Sequence, residues 1–405
     1  MNQQTLDYIQ AHLTQDIRTL ALKGAPKEVD LTFALDQISG RQRAKTKLPS
    51  WTAIDGMIYP PHISMEQCSS EETARYKVSL VRRLLHDIED KQKTLVDLTG
   101  GFGVDFSFMS QEFQNAIYVE QQKNLCDIAQ QNFERLGLAQ AQVVCGDSVD
   151  YLMSMSTKSS IIFIDPARRD ATGGRTFAIA DCTPDVSALS KELQSKALFV
   201  IIKLSPMLDW QKAIADMGNG VGEIHIVSVG GECKELLLVL SSMYDGIERL
   251  YCINGNDVFI CNPNKTNLTV DFVTVDFTSL SQEYKWVFEP NASIMKAGCF
   301  SQIEETFGVK QIESNSHLFV ANHPIPNFPG RAFVIENVTT MNKKELRKAL
   351  SNIERANITV RNFPLSVADL RKRLKINEGG STYIFATTLM DKTHILLICK
   401  KYNEN

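Results

Sequence analysis

The sequence predicts a doubly wound α/β sheet ending in an antiparallel hairpin, preceded by a helical segment and followed by smaller α+β modules. Three observations carry this prediction. Between Lys93 and Leu240, short apolar runs alternate with stretches of helical periodicity. The first run, in TLVDLTGGFGVD (residues 94–105), bears a single acid, Asp97, and breaks into Gly100, Gly101 and Gly103. Beyond residue 330 there are 14 Lys and Arg against 7 Asp and Glu, which leaves −11 of the whole chain's −4 on residues 1–330. A basic module is thus attached to an acidic body.

At the start of the chain, Leu6, Ile9, Leu13, Ile17 and Leu20 recur at helical spacing. Arg41, Arg43, Lys45 and Lys47 then alternate ahead of Pro49 and Trp51. They read either as a solvated basic connector or as an arm whose cations meet phosphates and whose indole stacks on a base. A helix capped by Ser69 or Ser70, with acids in its first turn, is expected to run to His86. Strands are expected at 94–98, 116–120, 142–145, 161–165, 198–204, 223–229 and 236–240. Most are apolar without alternation, as in strands covered on both faces. The turn Gly230–Lys234 between the last two is too short for a parallel crossover, so these form a hairpin.

A β-rich connector follows, with a turn at Asn254–Asn256, and then a small αβ unit whose helix is expected over 292–307. The proline-rich stretch 323–330 reads as a linker, and two helices and four strands come after it. The expected domains are 1–62, 63–245, 246–325 and 326–405.

Apolar residues make up 43% of the 405 and charged residues 22%, as in an ordinary soluble protein, and no apolar run reaches 18 residues. The N-terminus lacks a basic start followed by an apolar core, so neither a secretory leader nor a membrane span is expected. Nine cysteines, scattered without a CxxC pair, argue against a disulfide framework and against zinc, and fit a reducing cytoplasm. Seven dispersed histidines without HExxH give metal catalysis no support. No metal is expected.

A strand ending in a glycine turn that opens a helix is how a parallel sheet cradles a nucleotide-like ligand. Glu120 ends the second strand 23 positions after Asp97, where an acid either accepts ribose hydroxyls or is an ordinary strand-end residue. Asp147 and Ser148 follow the third strand, bordering an adenine, unless Asp147 is only a helix cap. G-x-G-x-x-G counted from Gly101 puts Phe106 at the third glycine, which disfavours NAD. The fourth strand ends in Asp165-Pro166-Ala167-Arg168-Arg169, an acid at the crevice end of the sheet. Lys203 at the end of the fifth strand either faces the same crevice or snorkels.

Strand-DLTGGFGVD, strand-VE, strand-GD and strand-DPARR, in this order and spacing, resemble a class I S-adenosylmethionine-dependent methyltransferase. With Gly173–Arg175 and the C-terminal module, the chain from about Ile63 resembles bacterial methyltransferases with a THUMP-like C-terminal domain, in the Bacteroidetes type preceded by a small ferredoxin-like unit. The resemblance implies a Rossmann-like seven-stranded sheet and S-adenosyl-L-methionine as cofactor. Asp97, Thr99, Gly100, Gly101, Phe102 and Gly103 would hold its methionine part, Glu120 its ribose, and Asp147 and Ser148 its adenine, with Asp165 bordering the site.

The (D/N)PP(Y/F) motif of base N-methyltransferases corresponds to Asp165–Arg168, with Ala for the second Pro and Arg for the aromatic, so a stacking ring is absent. Asp165, beside Pro166, would orient or deprotonate an acceptor. Arg168 and Arg169 would hold a phosphate or other anion, or form plain salt bridges. No cysteine lies in these segments, which favours a nitrogen or oxygen acceptor. The cations Lys343, Lys344, Arg371, Lys372 and Arg373 suit contacts to tRNA or rRNA, or form a solvated face. Two other readings remain: an RNA-binding protein with a relict pocket, and a methyltransferase acting on a protein or small molecule.

Overall fold

The computed structural model describes residues 2–89, 93–168, 179–265 and 270–402. Its residues divide into two compact units, 1–229 with 234–248, and 230–233 with 249–405.

The first unit begins with helices α1 (Gln3–His12), α2 (Ile17–Lys23), α3 (Leu31–Lys47), α4 (Pro49–Thr52), α5 (His62–Gln67) and α6 (Glu71–Leu84). The basic stretch 41–47 is the end of α3, which corrects its reading as a connector. Arg43 pairs with Glu66 at 2.7 Å, and the Lys47 ammonium donates to the Met65 and Glu66 carbonyls. Trp51 is 1% exposed and packs edge-on against Phe102, so it cannot stack on a base. Ser70 is the cap of α6, accepting the Thr73 N–H.

The sheet alternates β1 (Thr94–Asp97), α7 (Val104–Met109), β2 (Asn115–Glu120), α8 (Lys123–Arg135), β3 (Ala141–Cys145), α9 (Ser148–Ser154) and β4 (Ser159–Ile164). A short pair β5 (Ala167–Arg168) and β6 (Cys182–Thr183) leads to α10 (Ser190–Lys196), β7 (Ala197–Leu204) and α11 (Trp210–Met217). The hairpin β8 (Val221–Val229) and β9 (Glu232–Leu240) follows. Within this unit the spatial order is β3-β2-β1-β4-β7-β9-β8, with β3 through β7 parallel and β9 antiparallel to β7. All six residues of β4 are buried, as its SSIIFI run requires in a sheet covered on both faces. The direction of winding reverses between β1 and β4, and ligands of such sheets bind in the crevice beyond the carboxyl ends at this point.

The second unit contains the hairpin β10 (Arg249–Asn254) and β11 (Asp257–Cys261), then α12 (Phe277–Glu283), β12 (Trp286–Pro290), α13 (Ala292–Ala297), α14 (Phe300–Phe307), β13 (Lys310–Gln311) and β14 (Phe319–Ala321). After these come β15 (Gly330–Thr340), α15 (Lys343–Ala349), β16 (Asn357–Val360), α16 (Val367–Leu374), β17 (Thr382–Thr388) and β18 (His394–Lys401). The single helix expected over 292–307 is two, because Gly298 takes a left-handed φ of 72° and ends α13.

One seven-stranded sheet, β13-β14-β12-β15-β18-β17-β16, runs through both the 286–329 and the 330–401 segments. The proline-rich stretch is therefore packed rather than free: Phe328 is 8% exposed and lies 4.9 Å from Phe288, and Gly330 pairs with Pro290. Alternation along β17 separates two cores. Phe385 joins Phe333, Leu397 and Leu280 of α12 on one face, and Ile384 and Ala386 join Leu370 of α16 and Leu346 of α15 on the other.

Candidate cofactor and catalytic site

The glycine turn is built by close packing. Gly100 lies against the Tyr118 ring, where a Cβ would meet Cε2 at 2.1 Å. The Tyr118 hydroxyl donates to the Gly101 carbonyl. Gly101 and Gly103 have φ of 55° and 83°, the left-handed region that favours glycine. A Cβ on Gly103 would press on Phe133, whereas one on Gly101 would meet only the Thr99 carbonyl at 3.9 Å. Gly101 is thus a bare floor with room above it.

Three acids border this floor. Asp97 is 1% exposed, and its Oδ1 accepts the Thr99 N–H at 3.0 Å. Burial, with Asp105 and Asp165 nearby, pushes its carboxyl well above the ordinary range. Glu120 accepts the Gly101 N–H at 2.9 Å and the Gln122 N–H at 2.8 Å, so it braces the turn. Asp165 stands beyond β4, with its backbone N–H donated to the Thr99 hydroxyl at 2.6 Å. That bond ties the fourth strand's end to the turn.

Behind Asp165 lies a buried network of charges. The Lys203 ammonium is 2.6 Å from Asp165 and 3.2 Å from Asp105, the last residue of DLTGGFGVD. Lys77 of α6, fully buried, is 2.9 Å from Asp105 and 2.5 Å from Glu235 of β9. The Ser69 hydroxyl meets both Asp105 and Glu235, at 2.7 and 3.0 Å. Burial alone would discharge Lys203, but Asp165, Asp105 and Glu235 outweigh it and hold the ammonium firmly protonated. Asp165 is raised by burial, with Lys203 pulling it back, and its side chain is 37% exposed. Two ammoniums thus face three carboxyls, one of which opens to solvent.

Comparison with known proteins gives an extensive match. The chain is similar to a candidate methyltransferase from Porphyromonas gingivalis W83, with 30% identity, a TM-score of 0.85, and coverage of 98% of this chain and 97% of that one. The chain belongs to this methyltransferase family. Its residues 286–329 match a ferredoxin-like domain and residues 330–401 a THUMP domain-like family. An rRNA methylase from Streptococcus thermophilus covers 40% of this chain and 95% of its own, with 12% identity and a TM-score of 0.31. A SAM-dependent methyltransferase from Agrobacterium tumefaciens covers 41% and 61%, with 17% identity and a TM-score of 0.34. Neither bears on what this chain acts on. Among curated proteins none matches it.

In this methyltransferase-family chain, Asp97, Thr99, Gly100, Gly101, Gly103, Glu120 and Asp165 come together at the crevice end of the sheet. The Phe102 ring does not join them: it is 5% exposed and packs on Trp51 and Tyr59, leaving only its backbone to a ligand. Asp147 caps α9 by accepting the Val149 and Asp150 N–H groups, with Ser148 as the first helical residue. Pro166 is buried, and Ala167–Arg168 pairs with β6. Arg169 and Gly173–Arg175 lie outside the described residues. The C-terminal cations sit on α15 and α16, which cover one face of β16–β18. Among the described residues, Lys343, Lys344, Lys372 and Arg373 are exposed and form no ion pair, whereas Arg371 donates to the Ala356 carbonyl.

Sequence reasoning missed Ser69, Lys77, Asp105 and Glu235. The two signals were a lysine in the middle of the buried stripe of α6, among Ala74, Leu80 and Val81, and an acid closing the glycine motif. Two outcomes test this construction. Gly100→Ala should destabilise the chain by about 1–3 kcal/mol in urea unfolding, because the Tyr118 ring has no space to yield. Lys203→Met should cost about 3–5 kcal/mol by leaving Asp105 and Asp165 short of a cation, and adding Asp105→Asn should recover part of that loss.

Proposed function

We propose that this protein is an S-adenosyl-L-methionine-dependent methyltransferase that modifies a nitrogen or oxygen of an RNA nucleoside, in tRNA or rRNA, with the basic C-terminal helices docking the RNA. The observation that carries the reading is the position of Asp165, tied to the glycine turn through Thr99 and to the buried ammonium of Lys203. The residues suit the cofactor. The bare Gly101 floor admits a close ligand, and Asp97 and Glu120 offer acceptors to an ammonium and to ribose hydroxyls. S-adenosylmethionine, when bound, supplies an electrophilic methyl group on a cationic sulfonium.

The protein's part is then positioning and proton acceptance. Asp165 orients the acceptor N–H or O–H and takes its proton. Its raised pKa makes it a stronger base than an ordinary carboxylate, while Lys203 keeps enough of it ionised to act. Pro166 bends the chain past the carboxylate. The exposed Lys343, Lys344, Lys372 and Arg373, on helices sharing one core, present a cationic face to phosphates.

Calorimetry tests the cofactor. S-adenosylmethionine should bind, and Asp97→Asn should weaken it by roughly 10- to 100-fold, the loss of a charged hydrogen bond. Burial raises the Asp97 carboxyl, so the carboxylate that a cation needs forms only as pH rises. Affinity should therefore increase with pH through this raised pKa, and the variant should lose that dependence. Absence of binding by the wild type would refute the assignment.

For the substrate, the full chain with Lys343, Lys344, Lys372 and Arg373 all changed to Glu should bind total RNA more weakly, with a salt slope lower by about 2–3. Mass spectrometry of nucleosides from wild-type and deletion strains should find one methylated nucleoside missing. Intact modification profiles with an unchanged salt slope would point to a protein or small-molecule substrate.

A further inference from the structure

The second unit brings together three cysteines that sequence spacing keeps apart. Cys252 of β10 and Cys261 of β11 lie on the same face of their hairpin. Cys252 pairs with Phe259 and Cys261 with Leu250, which makes the two thiols diagonal neighbours. Both are buried, at 0% and 2% exposure. The third, Cys299, exists as a helix cap because Gly298 ends α13 and a new helix starts at Phe300. α14 is fastened to the end of β11 by hydrogen bonds between Asn262 and Gln302, at 2.9 and 2.8 Å, and by the Phe259–Phe307 ring contact. The three sulfurs lie within 4.8 Å of one another, with Cys252 and Cys299 at 4.0 Å.

We propose that Cys252, Cys261 and Cys299 form a thiolate site for one zinc ion, with its fourth position left to an exogenous donor. Three sulfurs held about 2.3 Å from a zinc ion stand roughly 3.8–4.0 Å apart, the distance between Cys252 and Cys299, and the third sulfur lies within 4.8 Å of both. A disulfide would need a contraction to about 2.05 Å and would leave the third thiol out. Apolar packing explains buried single cysteines but not the convergence of three sulfur atoms. Cys299 sits at the N-terminus of α14, where the unpaired backbone N–H groups of the first turn favour a thiolate. Binding releases the remaining thiol protons to solvent, so affinity rises with pH. The site ties the hairpin to α14, where a CxxC search finds nothing because the ligands are 9 and 38 positions apart.

Metal content and cadmium titration of the purified full chain decide the matter. About one equivalent of zinc per chain is expected, or, in chelator-stripped protein, one equivalent of cadmium giving thiolate-to-metal absorption. Cys299→Ser should weaken metal binding more than about 100-fold, beyond what loss of an outer partner costs. Cys145→Ser, an exposed cysteine elsewhere, should leave it unchanged. Alkylation read by mass spectrometry on the wild type needs no variant to fold: metal should protect residues 252, 261 and 299 together. Zinc below a tenth of an equivalent with no cadmium band, binding unaltered in Cys299→Ser, or a 252–299 disulfide as the stable form would each overturn the proposal.

Discussion

The buried pairing of Lys77 and Lys203 with Asp105, Glu235 and Asp165 is the constraint on which the first unit's crevice depends. Its members come from α6, α7, β7, β9 and the end of β4. Removing one charge strands the others in a low-dielectric interior. Such a network adds little net stability over a well-packed apolar core, so stability alone does not account for it. It holds one carboxylate, Asp165, at the mouth of the crevice in a fixed position and with a nearby cation. Asp105 also joins the network to the glycine turn, because it lies two residues after Gly103. The turn and the strand-end acid are thereby parts of one electrostatic assembly.

The N-terminal helices belong to the same assembly. α6 supplies Lys77, and Ser69 just before it bridges two acids. Phe102, within the glycine motif, is gripped by Trp51 and Tyr59. A segment that reads as an appendage therefore supports the turn from behind, and of its basic residues Arg43 and Lys47 hold α5 while Arg41 donates to the Thr52 carbonyl. Lys47 shows this directly, with its ammonium on the last carbonyls of α5.

In the second unit a single sheet serves both family segments. Its two faces are sorted by side-chain alternation along β17 and β18, with α12 on one side and α15 and α16 on the other. The cations of α15 and α16 face outward because Leu346 and Leu370 face inward. Cutting the chain between the segments would separate β12 from β15, which is why charge reversal probes this face better than truncation.

Local chemistry determined much of this protein. Apolar runs determined the parallel strands and the short connection after Val229 determined the hairpin, since each property lies within a few residues of chain; Asp97, Glu120 and Asp165 were legible one by one, each as an acid closing its own apolar run. Gly298 splitting one expected helix into two was also locally encoded, but helical periodicity on both sides masked it. Only the tertiary structure decided which side chains meet. Lys77, Asp105, Lys203 and Glu235 span 159 positions of sequence, and Cys252, Cys261 and Cys299 span 48. No periodicity links such residues, because strand order and helix packing set their distances, and these follow from the burial of the whole core. The same holds for Trp51 and Phe102, whose aromatic character suits a ligand site equally well until packing assigns them to the interior.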